Sequence, residues 1–316
     1  MEMKIAAFAG GVGGAKLAHG LAQVLPPQDL TVIVNTGDDF IHFGLTICPD
    51  LDTVCYTLAG LADPQTGWGR IDESYRAFES LKTLGGPGWF RLGDLDLGTH
   101  LERTRLQKEG VQLSTITEQF CRHWGVRTRV LPVSNDPIPT RVYTDEGELA
   151  FQEYFVQRKC EVKVEGFRFD GVEKSSPAPG VLEAIQEAEL LIFCPSNPWV
   201  SIDPILAVPG IREAVASRRV IAVSPIIAGQ TVKGPAAKMY ADFGIQPSAL
   251  AVARHYSSKK TGGILSGFIL DQKDHEDEKD IAALGIRTLV TDILIPTAIE
   301  RRRLAEEVLN FGKLLV

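Results

Sequence analysis

The chain has 316 residues, 44% of them hydrophobic, and a formal net charge of −7. That is enough apolar material for a large core in one domain or two intimate ones, and an acidic balance with no long Lys/Arg run argues against nucleic acid as the main partner. No apolar stretch approaches the ~20 residues of a membrane span, and Met1-Glu2-Met3-Lys4 leads straight into a short core strand, so a cytoplasmic protein with no membrane partner is expected.

The first strand, Ile5 to Phe8, runs into Ala9-Gly10-Gly11-Val12-Gly13-Gly14-Ala15-Lys16 and then into a helical pattern at Leu17, Leu21, Val24 and Leu25. Where a buried strand feeds a helix through residues without side chains, backbone N–H groups and the positive helix end converge on one point, which suits a phosphate. The simpler alternative is a strand-to-helix turn that binds nothing. Two better known loops do not fit: a dinucleotide fingerprint started at Gly11 needs glycine where Lys16 stands, and a Walker loop needs G-K-[ST] where the chain has Ala15-Lys16-Leu17. A nicotinamide-dependent dehydrogenase is disfavoured accordingly.

Strand Leu30 to Val34 ends in Asn35-Thr36-Gly37-Asp38-Asp39-Phe40, and Cys48-Pro49-Asp50-Leu51-Asp52-Thr53 leads into a helix from Val54 to Leu61. Helix capping explains one of these carboxylates, or two. Asp38, Asp39, Asp50 and Asp52 together resemble an acidic site for a hard cation such as magnesium, which needs one or two carboxylates and completes its shell with waters and phosphate oxygens. The five cysteines are widely spread, show no C-x-x-C pair and read as reduced thiols.

Residues 67–125 read as a helical insertion on the sheet. Within it, Trp89-Phe90-Arg91-Leu92-Gly93-Asp94-Leu95-Asp96-Leu97-Gly98-Thr99-His100 combines a stacking surface, a basic residue, carboxylates and a histidine. Either Asp94 caps a helix and the aromatics are core, or this segment is a wall for an aromatic substrate. After a helix from Thr115 to Trp124 and a strand from Arg127 to Val133, Thr140 to Thr144 and Leu149 to Val156 form a hairpin around Asp145-Glu146-Gly147-Glu148, an antiparallel addition to an otherwise parallel sheet.

The αβ alternation returns with strands Leu190 to Cys194 and Val220 to Val223. They deliver Pro195-Ser196-Asn197-Pro198 and the run Ser224 to Lys238, with Lys233 and Gly234, to the end of the sheet where the first loop's phosphate would lie. Leu250 to Ala253, Ile264 to Leu270 and Thr288 to Val290 read as further strands, and Ala298 to Phe311 as a closing helix, with Arg301-Arg302-Arg303 on a wet face pairing with Glu306 and Glu307. The expected fold is α/β, a Rossmann-like, mostly parallel, doubly wound sheet in a single domain over residues 1–316.

Taken in order, Gly10 to Lys16, Asn35 to Asp39, Pro49 to Thr53, Leu92 to His100, Pro195 to Pro198, and Ser224 to Ile227 with Gly234-Pro235-Ala236 resemble the 2-phospho-L-lactate transferases of deazaflavin coenzyme F-420 synthesis. The resemblance implies transfer of a phospholactyl or enolpyruvyl-phosphate group from a guanosine-diphosphate-activated donor to the ribityl hydroxyl of 7,8-didemethyl-8-hydroxy-5-deazariboflavin (Fo), with release of GMP. It implies that Gly10, Gly11, Gly13, Gly14 and Lys16, with Ser224, Lys233 and Gly234, hold the diphosphate end and that Ser196 and Asn197 seat the nucleotide. The family's pattern points to Asp52 and Arg91 near Fo, with Arg70 as the alternative basic residue; the stacking of Trp89 and Phe90 beside them is read from these residues alone and is no part of that pattern. Asp38, Asp39 and Asp50 would share magnesium; a general base is optional, and since an alcohol must lose its proton as the new bond forms, the catalytic candidates for it are Asp50 and Asp52. A homodimer is the expected assembly. The rival expectation is a non-catalytic regulator of a related glycine-loop family that binds a nucleotide sugar.

Overall fold

The computed structural model describes residues 3–315. The central sheet contains β1 (Ile5–Ala9), β2 (Leu30–Val34), β3 (Arg129–Pro132), β4 (Leu190–Phe193), β5 (Val220–Val223), β6 (Gly267–Asp271) and β7 (Arg287–Thr291). All pair in parallel, in the order β7-β6-β5-β4-β1-β2-β3. Every residue of β1 is buried because both faces of the sheet are covered: Ala6 and Phe8 enter one apolar layer, while Ile5, Ala7 and Ala9 enter the other. The second layer is roofed by α1 (Gly11–Val24) through Leu17 and Leu21 and by the C-terminal helix Ala298–Leu314 through Leu304 and Val308. That last helix opens on a capping box, with Thr297 Oγ1 accepting from the Glu300 amide and Glu300 accepting from the Thr297 amide.

Ile5 of β1 is in register with Leu30 of β2 on one side and Leu190 of β4 on the other. From β1 the sheet grows outward through β2, then restarts on the opposite side with β4. The loops leaving β1 and β4 therefore turn to opposite faces, and a crevice opens between them at the carboxyl ends of the strands.

α2 (Pro49–Ala59) begins five residues before the expected Val54, because Pro49 suits the first helical position and the acids after it favour the positive helix end. Asp50 and Asp52 thus lie inside its first turn. Between α2 and β3 come α3 (Arg76–Thr83), α4 (Asp94–Lys108) and α5 (Leu113–His123). Asp94 does not cap its own helix: its carboxylate accepts from the Ser74 hydroxyl and from the Arg76 and Ala77 amides, so it caps α3.

Two strand expectations are corrected. Leu250 to Ala253 belongs to the helix Ala249–Tyr256, which Ser248 caps by accepting from the Ala251 amide; Ala249, Val252, Ala253 and Tyr256 make its buried face at helical spacing. The hairpin forms with a third antiparallel strand, Val164–Phe169, alongside, but its second strand is Gly147–Ala150 and the chain from Phe151 to Gln157 is helical. Phe151 and Tyr154, three apart, bury together in the small core beneath this sheet, which an extended chain would send to opposite faces.

Candidate active site

At the crevice between the β1 and β4 loops lies a cavity of about 660 Å³. The glycine turn is its floor, α2, α4 and the Trp89–Arg91 segment form one wall, and the loops after β4 and β5 form the other.

Gly11 opens α1 at a φ of +63°, a backbone angle that side chains disfavour. A Cβ on Gly13 would stand 2.2 Å from the Pro195 carbonyl oxygen, so this glycine lets the β4 loop close onto the turn. Gly10, Gly11, Gly13 and Lys16 line the cavity, whereas Gly14 is buried behind the turn against Ser196 and Ala9. Ser196 Oγ accepts from the Gly10 amide (3.1 Å) and donates to the Gly10 carbonyl (2.9 Å), a clamp that fixes the turn from beneath. The amides of Val12 and Gly13 fall in the first helical turn, where no preceding carbonyl meets them. Burial, and then the charges of Arg301 and Lys233, hold the Lys16 ammonium below the usual lysine range, a strain that a bound anion relieves.

The amide of Gly11 donates to Asp50 Oδ1 at 2.7 Å. The Asn35 side chain donates to Asp50 Oδ2 (2.9 Å), Asp38 Oδ1 (3.1 Å) and the Val200 carbonyl (3.0 Å), tying the two carboxylates together. Burial, then the charge of Asp50, push Asp38 well above the usual carboxylate range. Burial likewise pushes Asp50 up to about 6 against the hydrogen bonds from Asn35 and Gly11. Two cavity-lining carboxylates that resist ionising together, beside a turn shaped for phosphate, are a donor set that fits a hard divalent cation. Asp39 stands apart: it does not line the cavity, its Oδ1 is buried without a partner, and burial raises its pKa against relief from Cys48 and Arg103.

Along the next wall, Asp52 and Tyr56 on α2 face Asp96, His100 and Arg103 on α4. Both sets follow helical spacing, so each presents one face. Arg103 is 1% exposed and donates to both oxygens of Asp52 and to the Thr46 carbonyl. The Tyr56 hydroxyl lies 2.7 Å from both Asp96 Oδ1 and Thr99 Oγ1; with one proton to give, it donates to the carboxylate and accepts from Thr99. Burial raises Asp52 against the pull of Arg103 and His100; for Asp96 burial is outweighed by His100 and Tyr56, which hold it below the usual range. Asp52, Asp96 and His100 each bring an atom within 4.8 Å of the others, the spacing of a metal-ligand set that differs from the Asp38, Asp39 and Asp50 group.

Trp89 and Phe90 pack on the short strand Phe40–His42, with ring centroids 5.1 Å from His42 to Trp89 and 4.8 Å from Phe40 to Phe90. The exposed Arg91 guanidinium lies 3.4 Å from the Tyr75 ring centroid and lines the cavity; Arg70 sits over the Tyr56 ring, outside the cavity lining. On the opposite wall, Asn197 caps the following helical turn by accepting from the Trp199 amide, and Ser224 closes a turn with the Ile226 amide and carbonyl. Lys233 reaches across the mouth and donates to the carbonyls of Gln65 and Thr66, and Gly234 lines the same edge at a φ of +87°.

Sequence reasoning missed Asn35 as the bridge between the carboxylates, and missed Arg103 and the grouping of Asp96 with His100. The i, i+4, i+7 spacing of Asp96, His100 and Arg103 was a readable signal for the second group. Nothing in the spacing of Asn35 announces its role.

A family model described as 2-phospho-L-lactate transferase CofD matches residues 5–294. A phosphoenolpyruvate transferase of Streptomyces griseus is 46% identical over 320 residues, covering 97% of this chain and 99% of the relative. One of Thermobifida fusca is 44% identical, covering 91% of each. Among solved structures, a protein member of the UPF0052 family from Bacillus halodurans superposes with a TM-score of 0.63 at 19% identity, covering 98% of this chain and 99% of that one, a likeness of fold.

Proposed function

The chain belongs to the 2-phospho-L-lactate transferase CofD family, and from that premise we propose that it moves an enolpyruvyl-phosphate group from a guanosine-diphosphate-activated donor to the ribityl hydroxyl of Fo. One observation carries the assignment of sides: the glycine turn with Lys16 and the wall bearing Asp52, Trp89 and Arg91 open on the same cavity. The donor diphosphate belongs against the Val12 and Gly13 amides, Lys16 and the Lys233–Gly234 edge. Fo belongs against Trp89, Arg91 and Asp52.

In the reaction the hydroxyl oxygen forms a bond to the phosphorus bearing the three-carbon acid. The bond from that phosphorus to the GMP oxygen breaks, and the hydroxyl proton passes to Asp52, the carboxylate on the acceptor side. Asp38 and Asp50 would hold magnesium, which when bound neutralises charge on the phosphate oxygens. The chain's own contribution is positioning: amides and ammonium groups fix the donor, and the aromatic wall fixes the acceptor in line with it. Ser196, Asn197 and Ser224 act by shaping the loops, since their side chains are engaged within the protein.

The test is incubation of the purified chain with Fo, magnesium and the enolpyruvyl, lactyl or glyceryl donor in turn, followed by mass analysis of the deazaflavin product and GMP. Product from the enolpyruvyl donor is expected. Binding of a nucleotide sugar with no product from any donor would favour the regulatory alternative.

A further inference from the structure

The wall between α2 and α4 has metal-ligand spacing, yet the positive charge seated in it is a side chain. Arg103 does not line the cavity. From behind the wall it grips both oxygens of Asp52, and its Nη1 lies 3.3 Å from His100 Nδ1. A guanidinium has only donors. The His100 nitrogen facing it must therefore be the acceptor, which puts the ring proton on Nε2. That nitrogen is buried and lies 3.3 Å from Asp96 Oδ2 without a formed hydrogen bond among the described residues. The other Asp96 oxygen is held by the Tyr56 hydroxyl. Arg103 and Tyr56 thus each donate to a carboxylate, and Asp52 and Asp96 line the cavity together with Tyr56 and His100.

We propose that Arg103 is the positioning residue of this wall: by holding Asp52 and the Nδ1 lone pair of His100 from behind, it fixes Asp52 and Asp96 as hydrogen-bond acceptors for a hydroxyl-bearing acceptor substrate. The identity of that substrate as a deazaflavin polyol rests on the proposed function. The hold of Arg103 on Asp52 and His100, and the facing of His100 Nε2 toward Asp96, do not.

Two measurements test it on the full chain. Long-range proton–nitrogen spectra of histidine-labelled protein, with His100 identified by its loss in His100→Gln, should show the Nε2–H tautomer; the Nδ1–H tautomer would overturn the proposal. In kinetics, Arg103→Met should lower kcat/KM for Fo about 100-fold through misplacement of the wall while leaving the donor KM unchanged, and guanidinium ion should restore part of the activity of Arg103→Ala. Equal losses toward donor and acceptor, without rescue, would mean a merely structural arginine. Should the arginine variants fail to fold, the histidine pair decides: His100→Gln keeps a donor toward Asp96 and should bind fluorescent Fo better than His100→Asn, and the reverse order would overturn the proposal. If the wild-type chain makes no product, the proposed function fails while the tautomer measurement still judges this inference.

Discussion

The Asp50 carboxylate and the Gly11 amide meet at 2.7 Å, and this bond sets a negative charge at the very turn whose geometry suits an anion. By itself an acid at a helix N-terminus is stabilising, by ~0.3–1 kcal/mol. Next to a phosphate it is repulsive unless a cation joins the two. Asp38, tied to Asp50 through Asn35, is held toward its protonated form by burial and by the charge of Asp50, and a cation that replaces its proton is what lets both carboxylates face a phosphate ionised.

Asp50→Asn is accordingly not a silent isostere. Its Oδ1 can keep the Gly11 bond, but its amide nitrogen then meets the Asn35 amide across 2.9 Å, donor against donor. We expect a stability loss of about 1–3 kcal/mol from the broken buried bond and a severe loss of turnover. Melting curves together with product formation from Fo check both, and near-normal turnover would remove Asp50 from the reaction.

Magnesium should stabilise the protein in a pH-dependent way. Asp50 rises from 3.8 to about 6 on folding, so between those values the native chain binds more protons than the unfolded one, and stability falls as pH rises through that window. A cation replaces the proton above it. Thermal unfolding with and without magnesium should therefore show a clear upward shift near pH 8 and little at about pH 5. Equal shifts at both values would disconnect the metal from this pair.

Asp52 and Arg103 should behave as one unit in a double-mutant cycle. Both are buried, and removing one partner leaves the other charge without compensation, at a cost of ~3–5 kcal/mol. Denaturant unfolding of Asp52→Asn, Arg103→Met and the double variant should show the double falling well short of the sum. Simple additivity would mean that the ion pair contributes nothing. It follows that an activity loss in Asp52→Asn reports on the acceptor wall only where the variant's fold has been checked.

How far the sequence revealed this molecule depends on how local each cause is. The parallel strands were visible as short apolar runs because both sheet faces are covered, and the Arg302–Glu306 and Arg303–Glu307 pairs were visible because they lie one helical turn apart. Leu250 to Ala253 misled because a four-residue apolar run has no period of its own; the Ser248 cap and Tyr256 one turn beyond decide it. The aspartates of the floor were singled out by composition. Their partners were not, since Asp52 meets Arg103 across 51 residues and Asn35 meets Val200 across 165, and only the packed fold supplies those distances.

The glycines separate packing from permissiveness, and two alanine substitutions should move stability in opposite directions. At Gly13 a Cβ would lie 2.2 Å from the Pro195 carbonyl oxygen, a backbone atom that can yield only if the β4 loop lifts off the turn. Gly13→Ala should therefore destabilise by about 1–3 kcal/mol, as overpacking does, and weaken binding of guanosine diphosphate, because the same loop frames the cavity. Gly98, inside α4, has a helical backbone, and a Cβ there would meet nothing within 4 Å. The added methyl only removes conformational freedom from the unfolded chain, and Gly98→Ala should stabilise by ~0.5–1 kcal/mol. Urea unfolding of the two variants beside wild type reads both signs, and a Gly13→Ala protein as stable as wild type would show that the turn and the β4 loop are not in contact as described.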